Sequence, residues 1–507
     1  MTRSVDLRAA SLAVSIVSLG CAHAPHPGSS PTSPSALDYR VEALPGAPLV
    51  LDITLTLQGG SPALVASVPS AIGLLTRDDG LEIRPIGDRF PIGCASTCRV
   101  RYRVDLGAAA ARSGDAFEVA ARSGADVVGP ASTWLLRPDP LPPASPVTID
   151  VRPAPGTRFA SGLHRGPLEE QIAVRAIDLP AAGYAAFGSF TVEHVPVHGG
   201  AIDLVLLGGE RRLGDEAIQR FTARMAGALD AVFGRFPVAR AAIFVTPEAG
   251  SRRVELGRTL PSGGASILLV IGADAGEAAL REDWILEHEL FHLGTPSFSG
   301  EGRFLDEGMA VYYEPVLRRR AGLRSSEGLW GDLVQAARSG LPGPGQGSLA
   351  RSEDHDRVYG GGATFVLAAD LGIRARTGGA RSLDDGLRAV LDRGGDATRV
   401  WTVADFVKTV DAATGVPVLT ELHARAAMSD PCTIPPFAAG ALLPPCLPSS
   451  EGDVDHLFSW LGVAHDSAGN LAFVEDGPRA SHRRAIEGER PGAPLPAGKV
   501  LSTPIVP

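Results

Sequence analysis

The sequence lacks the charge pattern of a nucleic-acid-binding protein and the composition of a disordered one. Its 507 residues include 47 basic and 57 acidic side chains, so the net charge is 47 − 57 = −10, and no long run of like charges occurs. Because binding to a polyanion requires a basic surface, we expect no nucleic-acid partner. Apolar and charged contents of 44% and 21% are those of a globular protein. A chain of this length predicts two or three domains of about 100–200 residues each.

The N-terminal apolar run is also too short to cross a bilayer as a stable anchor. It covers residues 9–19, follows Arg3 and Arg8, and leads to Cys21 through Leu-Gly. This pattern resembles a bacterial lipoprotein signal, in which cleavage precedes a cysteine that is then lipidated; an ordinary secretory signal is the alternative. We therefore expect residues 1–21 to form a signal and the exported protein to be anchored in the cell envelope, on the periplasmic side or at the cell surface. Under the alternative, the protein is secreted.

Cysteine is scarce, with five residues in the whole chain. Lipidation of Cys21 would leave an even number, which in an oxidising compartment suggests two local disulfides. The expected pairs are Cys94–Cys98 and Cys432–Cys446, although three pairings are formally possible. Neither pair has the Cys-x-x-Cys spacing of a zinc site, so we predict a structural role for these cysteines.

The remaining chain divides into segments of different pattern, and together they predict an α+β multidomain protein. Short alternating runs bounded by Gly, Pro and Asp predict an antiparallel β domain, whereas the following region adds helical periodicity. The expected segments are a Pro/Ser-rich tether at 22–38, a β-rich N-terminal domain at 39–200, a catalytic domain at 201–430, a small C-terminal segment with the second disulfide at 431–490, and a disordered tail at 491–507.

The pentapeptide His-Glu-Leu-Phe-His predicts a zinc site. It lies on a predicted helix at 277–293, where His288 and His292 are four residues apart and project from one face. Glu289 stands beside them, close enough to polarise a metal-bound water. Glu307, within Phe-Leu-Asp-Glu-Gly on the next predicted helix, would complete three ligands with one open position, which is typical of catalytic zinc. The alternative is a pair of surface histidines on an apolar helix.

Other elements of this region follow from periodicity and from capping residues. Strands are expected near 202–207, 241–246 and 266–271, and helices near 215–233, 326–339, 359–377, 382–393, 403–414 and 419–427.

The second predicted zinc helix carries a family resemblance. Residues 304–314, Phe-Leu-Asp-Glu-Gly-Met-Ala-Val-Tyr-Tyr-Glu, resemble the second zinc helix of the glycyl aminopeptidase family, which belongs to the gluzincin peptidases. The segments 359–363 and 376–385 are also similar, and the similarity extends over roughly residues 200–430. The resemblance implies a mainly helical, thermolysin-like zinc peptidase domain that follows an N-terminal β domain.

The resemblance also implies a role for each matching residue. His288, His292 and Glu307 would ligate Zn²⁺, and Glu289 would take a proton from the attacking water and deliver it to the leaving amine. Tyr359 matches the tyrosine that donates a hydrogen bond to the oxyanion in related aminopeptidases. For Tyr359, an aromatic at the start of a core helix is the alternative interpretation.

Three acidic residues near the motif have roles that the sequence leaves open. Glu314 lies seven residues after Glu307 and shares its helix face, so it is a candidate to orient a zinc-bound imidazole. A solvated helix glutamate is the alternative. Because only fourteen residues separate His292 from Glu307, Glu301 or Asp306 becomes the ligand if Glu307 does not reach the site.

The predicted function is a zinc-dependent metallopeptidase that acts on peptides or proteins, with Glu289 as the general base. The family's glycine-rich strand ends in an acidic residue that holds the substrate amine, but residues 256–266 contain no carboxylate and Glu255 is misplaced. Aminopeptidase, altered exopeptidase and endopeptidase action therefore remain open. The alternative function is a catalytically inactive lipoprotein of peptidase fold that acts as a binding or scaffold protein.

Overall fold

The computed structural model describes most of the chain, from the end of the expected tether onward. The described residues are 34–46, 49–167, 171–343, 346–428, 447–465, 470–473 and 478–488. Several predictions lie outside the described residues: the signal at 1–21, the lipidation site Cys21, the pair Cys432–Cys446, and the tail at 491–507.

The N-terminal part is built from strands, as predicted. Its elements are β1 (Ala36–Ala43), β2 (Val50–Gln58), β3 (Ala63–Val65), β4 (Ile72–Arg77), β5 (Glu82–Ile83), β6 (Arg89–Phe90), β7 (Cys98–Asp105), α1 (Leu106–Ser113), β8 (Ala121–Ser123), β9 (Asp126–Pro130), β10 (Arg137–Asp139), β11 (Pro146–Arg152), β12 (Arg158–Ser161), β13 (Gln171–Arg175) and β14 (Tyr184–Gly188). They form a seven-stranded sheet in the order β13-β11-β1-β2-β7-β4-β5, with smaller sheets packed against it.

Alternation of side chains explains this sheet. In β7, Val100, Tyr102 and Val104 point into the core, while the arginines between them face outward. The sheet is antiparallel, as predicted, apart from the β1–β11 pair, which is parallel. Cys94 and Cys98 form the predicted disulfide at the start of β7.

The second part combines a sheet with helices. Its elements are β15 (Thr191–Val197), β16 (Gly200–Leu206), α2 (Asp215–Ala228), α3 (Asp230–Phe233), β17 (Arg240–Glu248), β18 (Val254–Leu260), β19 (Ala265–Gly272), α4 (Glu277–Glu282), α5 (Ile285–His292), β20 (Ser297–Ser299), α6 (Arg303–Arg320), α7 (Ser326–Ser339), α8 (Gly362–Arg376), α9 (Leu383–Asp392), β21 (Val400–Thr402), α10 (Val403–Thr414) and α11 (Val418–Ala426).

The helices of this part pack against a five-stranded sheet with the strand order β15-β16-β17-β19-β18. Strand β19, which lies next to the edge strand β18, is buried at every residue because both of its faces are covered. Ile267 and Leu269 pack with the helices, whereas Leu268 packs with Tyr184 of the N-terminal part. The edge strand β18 is antiparallel to β19 and lies beside the motif helix.

The predicted motif helix is in fact two helices, α4 and α5. The chain breaks at Asp283 and Trp284, and the Asp283 carboxylate accepts hydrogen bonds from the N–H groups of Ile285 and Leu286 at 3.0 and 3.1 Å. These bonds satisfy donors that a new helix leaves unpaired at its start. Burial raises the pKa of Asp283 to about 6.

The described C-terminal residues pack against the helical part. They form α12 (Glu451–Trp460), β22 (Val463–His465), β23 (Leu471–Phe473) and α13 (Pro478–Ile486). Just after α13, the buried Glu487 accepts a 2.8 Å hydrogen bond from Trp330 Nε1 of α7. Among the residues that the structure describes, no helix combines the length and the apolar character needed to cross a membrane.

Candidate metal centre

The two motif histidines and Glu307 converge at one point. His288 and His292 lie on α5, and their Nε2 atoms are 3.3 Å apart. The Oε2 atom of Glu307, from α6, lies 3.3 Å from Nε2 of His288 and 3.6 Å from Nε2 of His292. The short segment between α5 and α6, which contains β20, therefore allows Glu307 to reach both histidines.

These separations fit a tetrahedral zinc ion. At zinc bond lengths of about 2.0–2.2 Å, two tetrahedral ligand atoms stand about 3.3–3.6 Å apart. Glu307 Oε2 is buried and has no hydrogen-bond partner of good geometry in the described residues, which is costly for a carboxylate that holds no cation. Burial opposes the charge of Glu307, but the two histidines outweigh it and hold the pKa of this carboxyl well below its usual range.

Asp306 contacts His292 at the ring nitrogen opposite the one that faces Glu307. Its Oδ1 lies 3.2 Å from Nδ1 of His292, which is the contact that fixes the orientation and the tautomer of a metal-binding imidazole. Burial alone would lower the pKa of His292, but the carboxylates of Asp306 and Glu307 raise it by more. The pKa of His292 therefore lies well above the usual value. A proton therefore competes with a metal ion for this ring.

The other two acidic residues face elsewhere. Glu314, predicted to orient an imidazole, instead lies 3.9 Å from Nη1 of Arg318, so the structure does not support that role. Glu301 forms a 3.0 Å ion pair with Arg351. Nδ1 of His288 has no hydrogen-bond partner among the described residues.

Glu289 is held by the edge strand. The Thr259 hydroxyl lies 2.7 Å from Oε2 of Glu289 and 2.9 Å from its backbone oxygen. The strand approaches closely because it carries Gly257, where a Cβ atom would lie 2.7 Å from Cγ of Glu289. The only feature of the sequence that points to Thr259 is its position in the glycine-containing strand.

Tyr359 lies against the site on a single turn of π-helix at Arg357–Gly361, which precedes α8. Its ring is parallel to that of His288, with 6.2 Å between centroids, and it stacks at 4.2 Å on His355. Burial and then Glu307 raise the pKa of Tyr359, so its hydroxyl stays protonated and can donate. Close approach of α6 and α8 at Gly308, where a Cβ atom would lie 2.3 Å from the α8 backbone, brings Tyr359 to this place.

The edge strand offers no free carboxylate close to Glu289. Glu255 is bonded to Ser251 and lies 3.2 Å from Nε of Arg253. Arg258 forms an ion pair with Glu118 of the N-terminal part. The residue type expected to hold a substrate amine is therefore engaged elsewhere on this strand.

Comparison with known proteins supports the fold. No family model and no curated protein matches this sequence. Among solved structures, an aminopeptidase N family protein from Idiomarina loihiensis matches with a TM-score of 0.57 and 16% identity, over 73% of each chain. An M1 zinc metallopeptidase from Deinococcus radiodurans also matches, with a TM-score of 0.46 and 18% identity, over 76% of this chain and 92% of that one. The first of these matches shows that the chain shares its fold, over that part of its length, with the aminopeptidase N family protein.

Proposed function

We propose that the protein is a zinc-dependent peptidase that hydrolyses peptide bonds in peptides or proteins. The observation that carries this proposal is the convergence of two imidazole nitrogens and one carboxylate oxygen, all within 4.8 Å of one another. Two histidines and a glutamate are the ligand set of catalytic zinc, which leaves a position for substrate or water. When bound there, zinc would supply a Lewis acid that polarises the scissile carbonyl and makes water more acidic.

The chain's own residues perform the proton transfers. Glu289 takes a proton from the attacking water and passes it to the leaving amine. Thr259 holds one oxygen of Glu289, so the other oxygen is the one that faces the reaction. Tyr359 donates a hydrogen bond to the oxygen on which negative charge develops.

A direct test measures bound zinc and peptide hydrolysis in the wild type and in Glu289→Gln. The variant should keep its zinc and lose about 10²–10⁴-fold in kcat, because general-base catalysis contributes that much. Glu255→Gln is the control, since Glu255 bonds to Ser251 and Arg253 instead of reaching Glu289. A zinc-free wild type without Glu289-dependent hydrolysis would favour the inactive binding protein.

We also propose export and lipid anchoring, on the basis of the apolar run and Cys21. Metabolic labelling with palmitate in a bacterial host should mark the wild type and leave Cys21→Ser unlabelled. Secretion of an unlabelled wild type into the medium would support the alternative of an ordinary signal.

A further inference from the structure

Arg303 is a cation beside the metal site without a carboxylate partner in the described part of the chain. It is the first residue of α6 and precedes Glu307 by four residues, so both side chains project from the same face of the helix. The Arg303 side chain is exposed, and it lies within hydrogen-bonding reach of the Tyr359 side chain. No acid of the described residues forms an ion pair with it.

Two other arginines, one on the edge strand and one that pairs just before α6, are neutralised by the protein itself. Arg258 of the edge strand pairs with Glu118, and Arg351 pairs with Glu301 at 3.0 Å. Arg303 differs from both because its guanidinium is left for a partner from solution. A guanidinium offers a planar fork of donors that fits a carboxylate in two parallel hydrogen bonds.

We propose that Arg303 binds a carboxylate of the substrate, so that the protein prefers peptides that carry an anionic group close to the scissile bond. This inference rests on the proposed peptidase function. One helical turn, about 5.4 Å along the axis, separates Arg303 from the ligand Glu307, so the bound carboxylate lies near the reacting carbonyl. A free ammonium group at the same place would be repelled.

The edge strand supports the same conclusion from the other side. Glu255 is occupied by Ser251 and Arg253, so it is not available to hold a substrate amine. The surroundings of the site therefore combine a cation that has no carboxylate partner in the described residues with an edge strand that has no free acid. The carboxylate is either the C-terminal group or an acidic side chain of the substrate.

Binding measurements separate these two sources without relying on turnover. In the Glu289→Gln background, calorimetry compares Ala-Phe-Ala with its C-terminal amide, and Ala-Phe-Asp amide with Ala-Phe-Asn amide. We expect the carboxylate member of at least one pair to bind about ten- to a hundredfold tighter, as for a hydrogen bond between charged groups. The first pair reports the C-terminal carboxylate and the second reports the side chain.

Three variants in this background identify the residue responsible. Arg303→Gln should abolish the preference, and Arg303→Lys should restore part of it by keeping the charge without the fork. Arg351→Gln, a nearby exposed arginine, should leave the preference unchanged, and melting curves verify that each variant folds.

Equal binding within both pairs, absence of binding by all four peptides, or a preference that survives Arg303→Gln would each overturn the inference. A cation that acts only by tuning Tyr359 would change kcat of the Glu289-containing enzyme equally for acid and amide substrates. Failure of the proposed peptidase function is a separate result, since it appears as zinc-independent or absent hydrolysis by the wild type.

Discussion

Helices α5 and α6 carry two clusters of ionisable side chains that differ in the origin of their cation. At the metal centre, Glu307 lies between two imidazoles, and its Oε2 atom has no hydrogen-bond partner in the described residues. On the other side of the same helices, Glu287 and Glu314 lie 3.7 and 3.9 Å from Arg318. The first cluster needs a cation from solution, whereas the second contains its own.

The difference shows how a buried carboxylate can indicate function. Glu287 is 1% exposed, and neither of its oxygens has a hydrogen bond among the described residues. Burial and the neighbouring Asp283 raise its pKa well above the usual value, and Arg318 only partly offsets them. The pKa of Glu307 moves the opposite way because two imidazoles face it. Glu307 therefore has the neighbours of a metal ligand, whereas Glu287 lies beside a cation that the chain itself supplies.

The largest expected effect comes from removing a ligand at the metal centre. Glu307→Gln should weaken zinc binding by more than about a hundredfold, since loss of a mere supporting contact already costs about 10–100-fold. Hydrolysis should fall with the zinc content. Unfolding in zinc-free buffer should show some loss of stability as well, because the depressed pKa of Glu307 means that its charged form is favoured in the folded protein by the two imidazoles. Full zinc retention by the folded variant would contradict the ligand assignment.

Removing Arg318, the internal cation of the second cluster, should act mainly on the stability of the protein. Arg318→Met leaves Glu287 and Glu314 without their partner, so the free energy of unfolding should drop by about 3–5 kcal/mol. The control Arg351→Met breaks an exposed pair and should change stability by less than about 1 kcal/mol. Urea unfolding measures the free energy of unfolding of both variants. An unchanged stability of Arg318→Met would show that the two clusters do not differ as described.

The pH dependence of stability tests the buried cluster through Asp283. Its pKa is about 6 in the folded protein against 3.8 for an unperturbed group. Because the folded state holds its proton more tightly, the contribution to stability is present below about pH 4 and is lost as the pH rises through about 6. Relative to Asp283→Asn, wild-type stability should fall by about 3 kcal/mol over this window.

The control for this titration is Asp105→Asn, which changes a partly exposed capping carboxylate on α1. Denaturant unfolding at several pH values compares the three proteins. A wild type whose stability rises relative to Asp283→Asn between pH 4 and 6 would contradict the expected sign.

The smallest expected effect distinguishes the two acids that compete for the supporting role. Asp306→Asn should weaken zinc binding by about 10–100-fold, because His292 loses the carboxylate that orients it. Glu314→Gln should leave zinc affinity unchanged, since Glu314 contacts Arg318. Competition with a chelator measures both affinities. Equal losses in the two variants would mean that Glu314 also acts on the site.

The sequence predicted elements well where local periodicity and caps decide the structure. The helix at Ser326–Ser339 and the helix at Val403–Thr414 have the predicted bounds, and each begins with a Ser or Thr cap that the sequence displays. The break between α4 and α5 was missed because Asp283 is compatible with a continuous helix. Its buried capping role becomes visible only when its surroundings are known.

By itself, the sequence determined the placement of His288 and His292 on one helix face, because the helical repeat fixes the direction of side chains four residues apart. Tertiary packing decided everything that joins separate elements. It brought Glu307 to the histidines, gave Asp306 the contact with His292, directed Glu314 to Arg318, and set Thr259 against Glu289. The physical reason is that spacing along a chain fixes geometry only within one element, whereas contacts between elements depend on how closely their backbones approach.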